Sequence, residues 1–315
     1  MTAVDRVPLL AIVPQKATRV QLVLGFACIY VVWGSTYLAI RFGIATIPPF
    51  ILGATRFLIA GMALYVWSRA RGAPKPSTLE WRNSAIIGTL LLFVGNGAVS
   101  WAEQRVSSGM TSLLVSTVPL WVVLGELWEG TKPRVMQLLG VGVGLVGVAL
   151  LVLPTDGKLS SAAVDPLGAL VLAIGSLSWT IGSLYSRRAV LAKPATVAIA
   201  MQMLSAGVLL LGLALVTGEF HKFSLANISI RSMWALLYLI IFGSLVGFST
   251  YMWLLRVASP TAVGTYAYVN PVVAVLLGVM FAGEHLPPQA VAAMLVIIGG
   301  VAMVSLAPRF VRDVT

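Results

Sequence analysis

Polar and aromatic side chains recur along one apolar segment near the N-terminus at the spacing of a single helical face. Tyr30, Trp33, Tyr37 and Arg41 stand at positions i, i+3, i+7 and i+11 of that segment. A polar group that faces hydrocarbon without a partner is strongly unfavourable, so this stripe should face other helices or an internal cavity. Aromatic faces and hydroxyl groups of this kind bind small molecules by stacking and hydrogen bonding.

Four further apolar segments carry comparable stripes. Their members are Asn96, Ser100 and Glu103 with Trp101 beside them; Ser176, Trp179, Ser183 and Arg187; Ser244, Phe248 and Tyr251 with Trp253; and Tyr266 with Asn270. We predict that the stripes surround a central cavity, and that the substrate-binding residues are Trp33, Tyr37, Asn96, Trp101, Trp179, Phe248, Tyr251, Tyr266 and Asn270. The alternative is structural, because polar residues often hold transmembrane helices together and Trp and Tyr often form interfacial belts.

Arg56 is the only charged residue that falls well inside an apolar segment. An ionisable group within a membrane span is a candidate for function, here recognition of a charged substrate group together with Glu103. Two simpler interpretations remain open: Arg56 extends towards the outer surface, or it pairs with Glu103.

Pro119 and Pro271 occupy matching positions in two other apolar segments. Each proline removes the usual intrahelical donor of the carbonyl four residues earlier and predicts a kink. Such a kink serves as a hinge or simply fixes a bend, since Pro is common in membrane helices.

Several kinds of chemistry find no support in the sequence. It has no P-loop, no His-Glu-x-x-His pattern and no Gly-x-Ser-x-Gly elbow. With one cysteine, Cys28, and no Cys/His cluster, we expect no internal disulfide, no metal and no cofactor. We therefore predict that the protein is not an enzyme and that ATP does not drive it directly.

The composition indicates a membrane protein, because 59% of the 315 residues are hydrophobic, only 10% are charged, and the mean hydropathy is +0.96. Segments long enough to cross a bilayer are predicted at 19–41, 49–70, 82–102, 108–128, 134–153, 167–187, 194–217, 232–255, 261–281 and 287–307. The fold class is therefore an all-α integral membrane protein of ten transmembrane helices.

The two halves of the chain repeat each other. Trp33 and Trp179 are 146 positions apart, as are Arg56 and Gln202, and Pro119 precedes Pro271 by 152. Five spans in each half give the second copy the opposite orientation, so we predict two inverted five-helix repeats around the cavity. The predicted divisions are a tail at 1–18, a first repeat at 19–155, a linker at 156–166, a second repeat at 167–308 and a tail at 309–315.

The basic residues predict the orientation in the membrane. With the N-terminus inside, fifteen Lys and Arg residues fall on inner segments and five on outer ones. Both termini are then cytoplasmic. The net charge of +11 is scattered over short loops, which argues against nucleic acid as a partner.

Several motifs resemble the EamA family of the drug/metabolite transporter superfamily. They are Trp33-Gly34-Ser35 with Arg41, Arg56-Phe57-Leu58, Val118-Pro119-Leu120, Val269-Asn270-Pro271-Val272 and Gly283-Glu284. The resemblance covers about residues 19–307 and implies a ten-helix inverted-repeat exporter of metabolites in a bacterial inner membrane. The stretches from Tyr266 to Pro271 and from Gly95 to Gly97 resemble the branch of amino-acid exporters. One departure is that Thr131 stands where the second half has Glu284.

The leading hypothesis is a secondary transporter that exports aromatic or other apolar amino acids by alternating access and without an energy source. Its partners are then the small-molecule substrate and the lipid bilayer, with no protein partner required. The alternatives are an exporter of drugs or other metabolites, such as purines or polyamines, and, from a different class, an intramembrane enzyme or lipid flippase.

Overall fold

The computed structural model describes residues 17–128, 133–152, 164–186, 188–258, 263–284 and 288–306. Within these ranges the regular elements are all helical. The residues Thr131 and Arg187, the predicted tail 309–315, residues 1–16 of the predicted tail 1–18, and the predicted boundary at 155 lie outside the described residues.

Helices follow one another along the described chain with short connections. They are α1 (Arg19–Gly43), α2 (Pro49–Ala70), α3 (Thr78–Ala102), α4 (Ser108–Val115), α5 (Val118–Trp128), α6 (Val135–Val152), α7 (Pro166–Ser186), α8 (Ala195–Val216), the short α9 (Glu219–Lys222), α10 (Ile230–Tyr238, Leu239–Phe248 and Ser249–Val257), α11 (Tyr266–Ala282) and α12 (Pro288–Leu306). A single 3₁₀ turn, Leu225–Asn227, precedes α10.

Seven helical stretches of the described chain are long and apolar enough to cross a bilayer, and each coincides with a predicted segment. They are α1, α2, α3, Ser108–Gly125, α7, α8 and Ile230–Leu254. The other three predicted segments contain shorter apolar helices, Val135–Leu150, Val269–Ala282 and Pro288–Val304. The protein is therefore an all-helical membrane protein in its described part.

Local sequence determines where several of these helices begin. Thr18 and Gln21 form a capping box at the start of α1, and Ser77 and Glu80 form another at the start of α3. Pro49 is the first residue of α2, where its missing N–H costs nothing.

Two helix starts are capped by glutamates from distant parts of the chain. Glu284 accepts hydrogen bonds from the backbone N–H groups of Ser108 (2.8 Å) and Gly109 (3.1 Å) at the start of α4. Glu219 accepts from the N–H groups of Phe50 and Ile51 at the start of α2. Burial raises the pKa of the Glu219 carboxyl, and these two donors oppose the shift. Both contacts tie one half of the chain to the other.

Two helices change pitch at matching positions. Thr89–Asn96 within α3 and Leu239–Phe248 within α10 are π-helical, and the offset of 152 positions aligns one with the other. A wider turn re-aims the side chains that follow it, and such turns occur frequently at functional sites.

The two prolines behave differently. The predicted span 108–128 consists of two helices, because α4 ends at Val115 and α5 begins at Val118, with Pro119 as its second residue. By contrast, α11 continues through Pro271. The helix is therefore interrupted near Pro119 and continuous at Pro271.

Glycines bring α6 and α12 into close contact. A Cβ atom placed on Gly300 would lie 2.5 Å from the backbone N of Gly144 and 2.7 Å from the carbonyl O of Gly140. The glycine face of α6 thus packs against α12 within the chain.

Candidate functional site

A cavity lies at the centre of the helices. Its described lining includes Trp33, Thr36, Tyr37, Arg56, Phe57, Asn96, Ser176, Trp179, Ser244, Phe248, Tyr266 and Asn270, with backbone at Gly95, Gly175 and Gly243. These residues come from both halves of the chain. The open volume is about 80 Å³, which is smaller than the roughly 150 Å³ cavity that holds benzene in another protein. In this conformation the cavity is therefore smaller than one that holds a single benzene ring.

Aromatic rings form one wall of this cavity. Trp33 is central to them: its ring centroid lies 6.0 Å from that of Trp179, 5.5 Å from that of Tyr266 and 4.8 Å from that of Tyr251. The first two contacts are edge to face, with interplanar angles of 87° and 89°. This geometry is the favourable one for ring quadrupoles, so the cluster is a preformed apolar surface for a flat substrate.

Polar groups of the cavity wall have incomplete hydrogen bonding. Within the described part of the chain, Asn270 Oδ1 and Ser176 Oγ are enclosed and have no hydrogen-bond partner. Buried polar atoms normally have one. Both atoms therefore have free hydrogen-bonding capacity in the described structure.

Arg56 contributes a positive charge to the cavity. Its side chain is 6% exposed, its Nε donates to Ser244 Oγ at 2.8 Å, and its Cζ lies 4.9 Å from the centroid of the Phe57 ring. The predicted alternative, pairing with Glu103, is wrong, because Arg56 forms no ion pair with a described carboxylate. Ser244 comes from the π-helical part of α10, so the two halves of the chain meet at this hydrogen bond.

Three predicted site residues do not line the cavity. Trp101 packs against a separate apolar cluster, and its ring lies 5.2 Å from Cζ of Arg105. Glu103 is fully buried just beyond the end of α3, where its backbone carbonyl accepts a hydrogen bond from Nη1 of Arg41. Tyr251 is 5% exposed, and its ring packs against that of Trp33 at an interplanar angle of 41°.

The remaining predicted residues do line the cavity. They are Trp33, Tyr37, Asn96, Trp179, Phe248, Tyr266 and Asn270, with Arg56 as the candidate for charge recognition. Sequence reasoning missed other lining residues, among them Thr36, Phe57, Gly243 and the apolar Ile40, Leu92, Val99, Val115, Val118 and Leu172. The signal for Gly243 was its place directly before Ser244 in a polar stripe; Phe57 carried no signal beyond adjacency to Arg56.

A cavity lined by both halves of an all-helical membrane protein is an arrangement found in membrane transport proteins. The sequence agrees with this class. The profile of the EamA-like transporter family matches residues 21–153 and 166–306, and the chain belongs to that family.

Related proteins that are named as transporters support the assignment to membrane transport proteins. The chain is 41% identical to the uncharacterized inner membrane transporter YedA of Escherichia coli (strain K12) over 279 residues, which are 88% of each protein. It is 24% identical to the uncharacterized transporter YoaV of Bacillus subtilis (strain 168), covering 90% of this chain and 96% of that one. A protein of known crystal structure superposes with a TM-score of 0.62 at 23% identity, over 92% of this chain and 98% of that one. This last likeness concerns the fold alone.

Proposed function

We propose that the protein is a secondary transporter that exports aromatic or other apolar amino acids across a bacterial inner membrane. The observation that supports this most is the wall of aromatic rings around Trp33, joined by the neutral polar groups of Asn96 and Asn270. Rings on Trp33, Trp179 and Tyr266 would contact an apolar side chain, and the two amides would orient the polar end of the substrate.

The proposed architecture is ten spans in two inverted repeats of five, over residues 19–155 and 167–308, with 156–166 as linker. The tails 1–18 and 309–315 are then both cytoplasmic. Support comes from the two separate matches to the family profile and from the π-helical turns at equivalent positions of α3 and α10.

The proposed mechanism is alternating access without an energy source. The cavity is too small for an aromatic ring in this conformation, so substrate entry requires one group of helices to move against the other. The break between Val115 and Val118 adjoins the cavity, since both residues line it. We assign the hinge to this break, near Pro119, and to Pro271 within α11.

Other substrates are less well supported. A polyamine needs carboxylates, and none of the described lining residues is acidic. Purines and drugs fit the aromatic wall and stay as alternatives. A lipid flippase would need a lateral opening; the side groove lined by Phe42, Trp234 and Tyr238 shares no described residue with the cavity.

Flux into proteoliposomes tests the proposal. The purified protein is reconstituted without ATP or an ion gradient and offered labelled phenylalanine, tryptophan, leucine, methionine, adenine and putrescine. Saturable flux of the first four, and not of putrescine, is the expected result. Flux of adenine alone would move the assignment to purines, and absence of flux with and without a proton gradient would refute the amino-acid assignment.

A further inference from the structure

Arg56 is a buried cation whose charge is not balanced by its described neighbours. Among the described residues that line the cavity it is the only Lys or Arg, and no lining residue is acidic. Apart from the bond from Nε to Ser244 Oγ, the structure gives its guanidinium no described hydrogen-bond acceptor. A buried charge without a counter-charge costs free energy, which an anionic ligand in the cavity would offset.

The backbone around Arg56 is arranged to leave room for the guanidinium. A Cβ atom on Gly243 would lie 2.9 Å from Nη2 of Arg56 and 3.1 Å from Cγ2 of Thr36. A larger residue at position 243 would therefore displace the guanidinium from its present position. Ser244, the next residue, supplies the hydroxyl that holds Nε in place.

The positions that repeat Arg56, Gly243 and Ser244 in the other half of the chain do not carry a charged group. Gln202 stands at the position that repeats Arg56, and it is fully buried outside the described cavity lining. Leu91 and Leu92 stand at the positions that repeat Gly243 and Ser244. Among its described lining residues, the cavity thus has one cationic side chain, contributed by the first half of the chain.

The groups available to a substrate ammonium are neutral by comparison. They are the oxygens Asn270 Oδ1 and Ser176 Oγ and the faces of the aromatic rings. A hydrogen bond between two charged groups is roughly twice as strong as one between neutral groups, and a guanidinium matches both oxygens of a carboxylate. The carboxylate is therefore the substrate group that the cavity distinguishes best.

We infer that Arg56 binds the carboxylate of the transported substrate, and that this cavity accepts aromatic or apolar monocarboxylates whether or not they carry an amino group. The inference rests on the proposed function, because it specifies the charge recognised at the same cavity. It adds a positioning role for Ser244, which orients the guanidinium without contacting the substrate's ring.

Three ligands with the same ring separate the two charges. Phenylalanine carries both, 3-phenylpropanoate only the carboxylate, and 2-phenylethylamine only the ammonium. In calorimetric titration of the full-length protein in detergent, corrected with empty micelles, we expect the two carboxylates to bind with similar affinity. The amine should bind at least about tenfold more weakly, as expected for loss of a charge-assisted hydrogen bond.

Variants of Arg56 locate the effect. Arg56→Gln, which installs the residue of the repeated position, should weaken both carboxylates by about 10- to 100-fold and leave the amine unchanged. Arg56→Lys should retain part of the affinity, because it keeps the charge but loses the planar fork. Arg71→Gln is the matched control: Arg71 follows the same helix, is exposed and stacks over Trp67.

Several results would overturn the inference. Equal binding of the amine and the carboxylates would do so, as would unchanged carboxylate affinity in folded Arg56→Gln. If that variant does not fold, the comparison of the three ligands on the unaltered protein still decides. If phenylalanine is transported but the amine binds as tightly as the carboxylates, the role of Arg56 is refuted and the proposed function is retained. Binding of none of the three would remove the proposed function as well.

Discussion

Trp33 and Trp179 meet edge to face in the wall of the central cavity, with ring centroids 6.0 Å apart and an interplanar angle of 87°. The two residues are 146 positions apart and occupy equivalent places in the repeated sequence. Equivalent residues of two repeats come into contact where the repeats meet around a shared axis. We therefore place the pseudo-symmetry axis of the proposed inverted repeats near this pair.

Tyr266→Ala should weaken transport of aromatic substrates without lowering the amount of folded protein. Tyr266 packs edge to face on Trp33 and lines the cavity, and one aromatic contact is worth about 0.5–1.5 kcal/mol. We expect the KM for phenylalanine to rise by about 2- to 10-fold. Tyr266→Phe is the control that keeps the ring. Unchanged flux in Tyr266→Ala would exclude this side chain from the binding site.

Gly300→Ala should destabilise the protein, whereas Gly299→Ala should not. The new Cβ on residue 300 would lie 2.5 Å from the backbone N of Gly144, but on residue 299 it meets no atom within 4 Å. Overpacking of this kind costs about 1–3 kcal/mol, while Ala in place of an open helical Gly gains up to about 1 kcal/mol. Thermal unfolding in detergent measures both. Equal melting temperatures of the two variants would contradict the close packing of α6 and α12.

An imposed pH gradient should not drive accumulation of phenylalanine in proteoliposomes. The described lining of the cavity has no acidic residue that could carry a proton with the substrate. Accumulation against the substrate gradient would contradict this expectation and direct attention to Glu103. That carboxylate is fully buried, and neither of its oxygens has a hydrogen-bond partner within the described part of the chain. Glu103→Gln would then abolish accumulation while downhill flux continued.

Labelling of single cysteines in intact cells tests the proposed orientation of the protein in the membrane. Cys28→Ser removes the only cysteine, and Lys75→Cys and His221→Cys place new thiols at two exposed positions between spans. The positive-inside pattern predicts that a membrane-impermeant maleimide labels position 221 in intact cells and position 75 only after permeabilisation. The reverse pattern would invert the proposed topology.

The stripes of polar residues predicted part of the described cavity lining, and the reason is physical. In a bilayer, polar side chains are confined to the inside of the protein, so their spacing along a helix reveals its inner face. Asn96, Tyr266 and Asn270 were predicted from this spacing alone, and the structure places them in the cavity lining. Trp101 and Tyr251 share the composition of the stripes but lie outside the cavity lining, one on a separate cluster and the other packed against Trp33.

The sequence by itself determined the helical membrane class, the duplication, and the candidate status of Arg56 as a charge inside a span. Only the tertiary structure decided its neighbour. Ser244 lies 188 residues away, on a π-helical turn that a pattern of 3.6 residues per turn does not reveal. Hydropathy and spacing report whether a side chain avoids lipid. They do not report which side chain of another helix it meets, because that depends on how the helices pack.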